Sequence, residues 1–267
     1  MKIILATDFS QENKMLVPYA LDLLKPTGGS IILFHAYMDH FEVIDAKNTA
    51  EQSMEQSINF LNGEIAKLGL NNIEIIPKLM DGYPEQELLH LTREIQPDLV
   101  LMGTRGRGRK SFLEGSMSKS LMSKSPVPLL SIHEDYQYKP NNEVLYVTNF
   151  DKNDAMTITK VFSILKPYQL HVHVVHFIMD GEPSKAAKQM KDLEESLKYV
   201  NLNGEISYKL VYNSNPRDGM KAYCTENNIS LAAFIPHRKH FWDIFFRGKV
   251  TKNDFFDLHI PLLTFQK

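Results

Sequence analysis

The segment Leu101–Leu121, LMGTRGRGRKSFLEGSMSKSL, gathers the residue types that hold a phosphate. Gly103 stands at the end of an apolar run, where a missing Cβ lets a ligand approach the backbone. Gly106 and Gly108 free the chain to turn its N–H groups inward. Gly115-Ser116 then precedes a helical pattern, and the first N–H groups and the dipole of a helix favour an anion. Ser116 and Ser118 add hydroxyl donors, and Arg105, Arg107, Arg109 and Lys110 add positive charge. Glycine-rich turns also follow parallel strands because tight connections need them, so the segment alone leaves both readings open. It is not a Walker A loop, since no Gly-Lys-Ser/Thr closes it. Nor is it a dinucleotide fingerprint, since its glycines follow the fourth apolar run and not the first.

Alternating strands and helices must position this loop. Lys2–Ala6, Ser30–Tyr37, Ile73–Met80, Leu99–Gly103 and Val127–Ile132 read as strands, most of them near-continuous apolar runs as in a sheet covered on both faces. Between them, Ser10–Leu24, Ala50–Leu68, Pro84–Ile95 and Met117–Lys124 carry apolar residues at helical spacing. Pro26 and Gly28-Gly29 stop the first helix, and Pro84 suits the first turn of the third. Such βα alternation implies right-handed crossovers, a mostly parallel sheet, and a ligand outside the carboxyl ends of the strands.

The pattern occurs twice. Thr148-Asn149-Phe150 repeats Thr7-Asp8-Phe9, Leu165-Lys166-Pro167 repeats Leu24-Lys25-Pro26, His176 repeats His35 and Met179-Asp180 repeats Met38-Asp39, all at an offset of 141. Near the end of each copy the offset falls to 133, where Pro261-Leu262-Leu263 repeats Pro128-Leu129-Leu130. Two copies of this length read as two domains, residues 1–134 and 142–267, joined by the polar stretch His133–Asn142. The second copy has strands at Val144–Thr148, His171–Phe177, Ile206–Val211, Leu231–Ile235 and Leu262–Phe265. It lacks the chemistry of the first. Asp8 becomes Asn149, Gly103 becomes Pro236, Gly106 becomes Lys239 and Ser116 becomes Lys249, with Gly248 alone surviving from the loop. A proline has a ring where bare backbone is wanted and no N–H to donate, so nucleotide binding is expected in the N-terminal half only.

The segment Gly103, Gly106, Gly115 and Ser116 resembles the universal stress protein motif Gly-x2-Gly-x9-Gly-Ser/Thr, except that eight residues (107–114) stand where that pattern has nine. ILATDFS at the start, His35 in LFHAY, and Ser125-Pro126-Val127-Pro128-Leu129-Leu130 resemble the same family's first, second and last strands. The resemblance spans the chain as a tandem pair. It implies α/β architecture, two Rossmann-like doubly wound parallel-sheet domains of the adenine nucleotide alpha hydrolase-like kind, and ATP or AMP, with or without Mg2+, across the strand ends. Asp8 would then lie near the ribose, and the backbone at Ala6 and Ala36 would line the adenine pocket. Gly103, Gly106, Gly115 and Ser116 would take ribose and phosphates, with Thr7, Met102, Arg105, Met117 and Ser118 completing the contact set. The resemblance also implies pairing of the two domains through Val127–Ile132 and Leu262–Phe265, with a homodimer as a further possibility, and a role in stress sensing or signalling. The alternative is a nucleotide-independent interaction scaffold.

Other features narrow the function. With a net charge of −2 over 267 residues the chain has no electrostatic reason to seek nucleic acid or an anionic membrane, and one short basic loop makes few phosphate contacts. No apolar run approaches a spanning helix, and the first residues are too short for a secretory signal, so the expected compartment is the cytoplasm. Cys224 is the single cysteine, on an expected helix at Arg217–Asn227, and forms no internal disulfide. No catalytic residue and no metal site is assigned. Asp8 fits a cap or a ligand hydroxyl better than a catalyst, His35 and His176 fit a structural hydrogen bond, and His237 and His240 lack ligand partners at zinc spacing. Enzymatic activity is therefore not expected beyond slow ATP hydrolysis. The aromatic stretch His240–Phe246, HFWDIFF, reads as a hydrophobic plug or as an exposed patch for a partner.

Overall fold

The computed structural model describes residues 1–9, 15–38, 46–103, 116–132, 136, 138–139, 142–178, 183–212, 216–236 and 260–266. The chain divides into two units, Met1–Tyr138 and Lys139–Phe265. Unit 1 runs β1 (Lys2–Ala6), α1 (Leu16–Leu24), β2 (Gly29–Tyr37), α2 (Ala46–Lys67), β3 (Ile73–Asp81), α3 (Pro84–Ile95), β4 (Leu99–Gly103), α4 (Ser116–Lys124) and β5 (Leu129–Ile132). Its strands lie in the order β3-β2-β1-β4-β5 and pair in parallel. Order reverses between β1 and β4, the place where open α/β sheets form their ligand crevice.

Unit 2 runs β6 (Glu143–Val147), α5 (Asp154–Ile164), β7 (Leu170–Ile178), α6 (Pro183–Leu197), β8 (Gly204–Tyr212), α7 (Pro216–Glu226), β9 (Leu231–Phe234) and β10 (Leu262–Thr264). Its order, β8-β7-β6-β9-β10, is again parallel and repeats that of unit 1 strand for strand. Among the described residues, no helix is long and apolar enough to cross a membrane.

The cores follow from composition. Ile3, Ile4 and Leu5 of β1, and Leu99, Val100 and Leu101 of β4, are buried because helices cover both faces of a parallel sheet. On α2 only Ala50, Met54, Leu61 and Ile65 are buried, a single stripe on an otherwise polar helix. That helix begins at Ala46, a turn before the stripe, where Lys47 and Glu51 pair at 3.8 Å on the solvent side. β5 starts at Leu129, later than the apolar run suggests, because Pro128 has no N–H for a ladder; its carbonyl still accepts from Val100 N at 2.9 Å. Tyr136 and Tyr138, within the stretch whose composition suggests a linker, pack near Tyr19 of α1 at centroid distances of 6.1 and 4.7 Å, and the Tyr138 hydroxyl bonds Asp22.

Gly29 opens β2 at φ 143°, and a Cβ there would stand 1.9 Å from the Met1 carbonyl oxygen. Gly29→Ala therefore meets both strained backbone and a backbone obstacle. It is expected to lower unfolding free energy by more than about 1 kcal/mol, read from denaturant midpoints.

Candidate functional site

At the carboxyl end of β1, Ala6 sits level with Phe34 of β2 and Met102 of β4. The chain then turns sharply. Thr7 N donates to Phe34 O at 3.0 Å, and Phe9 adopts the left-handed conformation at φ 61°. A non-glycine residue there costs of order 1–2 kcal/mol, which local contacts must offset. Phe9 N donates to Thr7 Oγ1 at 2.9 Å, and the Phe9 ring lies 4.3 Å from the His35 ring at 39°. His35 Nδ1 stands 2.8 Å from Thr7 O, and a carbonyl can only accept, so this nitrogen carries the proton. The repeated histidine thus holds a backbone carbonyl and keeps the turn in place, with Asp8 at its apex, half-buried.

A pocket opens beside this turn, with an empty volume of about 450 Å³. β1 and its turn contribute Ala6, Thr7 and Asp8; β2 contributes Phe34, His35 and Ala36; α3 contributes Pro84 and Leu88; β4 contributes Met102 and Gly103. An apolar lining with a few polar groups at one side suits a flat, mostly apolar ring system carrying a polar substituent.

Six of the twelve residues expected from the sequence line this pocket: Ala6, Thr7, Asp8, Ala36, Met102 and Gly103. Ser116, Met117 and Ser118 form the first turn of α4, whose leading N–H groups have no partner within the helix. Arg105, Gly106 and Gly115 lie outside the described residues, as do His237, His240 and the aromatic stretch 240–246. Phe34, His35, Pro84 and Leu88 were not expected in the pocket. Their signal was weak but present: Pro84 and Leu88 are four apart on one helix, hence on one face.

Unit 2 builds the same turn. Phe150 has φ 58°, its N donates to Thr148 Oγ1 at 2.8 Å, and His176 Nδ1 donates to Thr148 O at 2.8 Å. Burial pulls the His176 pKa down, so the neutral ring makes this bond near neutral pH. The pocket positions differ. Ala6 is replaced by Val147, Ala36 by Phe177 and Gly103 by Pro236, and Val147 and Phe177 are 6% and 5% exposed. Phe177 packs edge-on against Tyr223 of α7 at 6.5 Å. Side chains thus stand in unit 2 where unit 1 has two alanines beside its pocket.

Beneath the unit 2 turn, Asp154 is 2% exposed. Its Oδ1 accepts from the Tyr146 hydroxyl at 2.8 Å, and its Oδ2 accepts from the Thr148 hydroxyl and from Asp151 N, the latter at 3.0 Å. At the repeat offset the first copy has Leu5 in place of Tyr146. Cys224 is buried too, and desolvation pushes its thiol up to about 12, which makes it a packing residue at neutral pH.

Known proteins bear on these observations as follows. The sequence profile described as the universal stress protein family matches residues 1–133. A universal stress protein A family protein from Schizosaccharomyces pombe is 34% identical over 67 residues, which are 24% of this chain and 22% of that protein. The chain therefore matches under a quarter of that relative's length. A universal stress protein from Thermus aquaticus is 25% identical over 134 residues, 49% of this chain and 96% of the relative. Among solved structures, a universal stress protein from Archaeoglobus fulgidus aligns with a TM-score of 0.70 at 16% identity, covering 100% of this chain and 96% of its own. At that identity the likeness speaks for the fold, which it extends over both units.

Proposed function

The chain belongs to the universal stress protein family through its N-terminal half, and from that premise we propose that this half binds an adenine nucleotide in the pocket at the ends of β1, β2 and β4. The observation that carries the reading is the pair of alanines, Ala6 and Ala36, beside a recess of about 450 Å³ at the point where strand order reverses. Small side chains on two neighbouring strands leave room for a purine ring between the sheet and Pro84 and Leu88 of α3. Asp8, at the apex of the turn, offers a carboxylate to ribose hydroxyls, which are donors. Gly103 permits close approach of the ligand to the end of β4. The first N–H groups of α4, at Ser116 to Ser118, suit phosphate. Occupancy of this site, in the cytoplasm, would serve a stress or signalling role through the state of the bound nucleotide.

The second unit takes no part in this binding. Val147 and Phe177 fill the purine positions, Asn149 replaces the carboxylate, and Pro236 removes an N–H. Equilibrium titration of the full chain with ATP and with AMP, each with and without Mg2+, tests the reading. One equivalent of nucleotide is expected to saturate. Absence of saturable binding would leave the tandem pair as an interaction scaffold, and two equivalents would overturn the exclusion of unit 2.

A further inference from the structure

Three side chains that the nucleotide reading leaves unused converge at the amino-terminal end of the unit 2 strands. Glu143 opens β6, and His171 lies across from it in the parallel ladder with β7. His173, two residues on, shares the face of His171 because side chains alternate along a strand. Glu143 Oε2 is 3.0 Å from His171 Nδ1 and 2.7 Å from His173 Nε2, and one ligand atom from each of the three residues lies within 4.8 Å of the others. Two ligands each about 2.1 Å from a zinc ion stand about 3 Å apart at a right angle and about 3.4 Å apart at a tetrahedral angle. The carboxylate oxygen already stands close to that separation from each imidazole nitrogen.

The outer nitrogens of both rings are also held. His171 Nε2 is 3.0 Å from the Ser207 hydroxyl of β8, and His173 Nδ1 is 2.9 Å from the Tyr223 hydroxyl of α7. Partners of this kind fix the orientation and tautomer of histidines that bind metal. A hydroxyl can donate to a bare ring nitrogen or accept from an N–H. Without a cation, the inner nitrogens donate to Glu143 and the hydroxyls donate to the outer ones. With a cation, each imidazole keeps its one proton but carries it on the outer nitrogen, which donates to Ser207 or Tyr223. The outer hydrogen bonds survive the exchange, and no proton is released. The side chains of His171 and Glu143 are 32% and 36% exposed, open to a cation from solvent, while that of His173, at 7%, anchors the cluster.

The geometry points to a binding site for a borderline divalent transition cation, Zn2+ above all, held by Glu143, His171 and His173. Two imidazoles and one carboxylate select Zn2+, Ni2+ or Cu2+ over Mg2+ or Ca2+, which prefer all-oxygen sets. Three protein ligands leave at least one coordination position to solvent. The site lies at the opposite end of β6 from the turn at Thr148–Phe150.

Zn2+ titration of the full chain near neutral pH, against a chromophoric competitor chelator, tests this. Other histidines could take up zinc, so the reading is the difference between wild type and two variants, His171→Asn and Glu143→Gln. Wild type is expected to bind one equivalent that each variant holds more than about tenfold more weakly, tenfold being the smallest loss usual even for outer partners. Excess Mg2+ should not displace it. Equal stoichiometry and affinity in wild type and both folded variants would overturn the site. Should a variant fold poorly, the imidazole resonances of His171 and His173 in wild type decide. They shift with Zn2+ if the site exists, and signals unmoved at saturating Zn2+ overturn it.

Discussion

Ala36→Phe is expected to abolish the proposed nucleotide binding by the N-terminal unit while leaving its fold in place. The substitution gives β2 the residue that β7 carries at the same repeat position, Phe177. In unit 2 that ring is 5% exposed, so a parallel strand of this fold accommodates phenylalanine there without disruption. In unit 1 the same ring would enter the space bounded by Ala6, Leu88 and Met102. A purine and a phenyl ring cannot share it. The expected loss of ATP affinity is at least about 30-fold, or about 2 kcal/mol, set by exclusion of the base from its pocket. Circular dichroism and the denaturant midpoint should stay close to wild type, since Ala36 is only half-buried and faces open volume. ATP binding that survives the substitution with unchanged affinity would move the nucleotide elsewhere and remove the main support for the site.

This experiment rests on a comparison that glycines alone do not provide. The phosphate motif drew attention to Gly103, Gly106, Gly115 and Ser116, and the loss of that motif in the second copy was legible from Pro236 and Lys249. The exchange of Ala36 for Phe177 was equally present at the repeat offset. Its meaning depends on knowing that Ala36, near the end of β2, lines a pocket, which strand pattern alone does not say. Element type was legible because parallel strands buried on both faces read as unbroken apolar runs, as in KIILA and LVLMG. Element ends were less so, since they are set by hydrogen bonding: β5 waits for Pro128 to pass, and α2 gains a turn that buries no large side chain.

Contacts between distant residues were the least legible. His171 and His173 show their strand spacing openly, but Glu143 is thirty residues from His173 and joins it only through the register of β6 with β7. Pro84 and Leu88 reach the pocket because α3 packs over β2, a matter of tertiary docking. The role of His35 and His176 as holders of a carbonyl was readable from their recurrence at one repeat position.

Asp154 gives the second large effect, and here two substitutions must part company. Asp154→Ala removes the acceptor for the hydroxyls of Tyr146 and Thr148 and for Asp151 N, in a region where Tyr146 and Thr148 are fully buried. Each donor left unsatisfied costs about 1–3 kcal/mol, so unit 2 should lose roughly 3 kcal/mol or more. Asp154→Asn should be far milder. Its amide oxygen can accept from Thr148 and Asp151 N, and its amide N–H can donate to the Tyr146 oxygen once that hydroxyl proton turns away. The two variants also differ from wild type in pH dependence. Burial raises the Asp154 pKa above its ordinary value, against the hydrogen bonds from Thr148 and Tyr146 that lower it. The folded state therefore holds this proton more tightly than the unfolded chain does. Its stabilising contribution is complete below the unfolded pKa of about 3.8 and is lost as pH rises through the higher folded value. The stability of Asp154→Asn relative to wild type should accordingly improve as pH rises across that window, and then level off. Denaturant unfolding of wild type and both variants from acid to neutral pH reads this directly. A difference between wild type and Asp154→Asn that moves the other way would mean that the hydrogen bonds, and not desolvation, set the charge of this carboxyl.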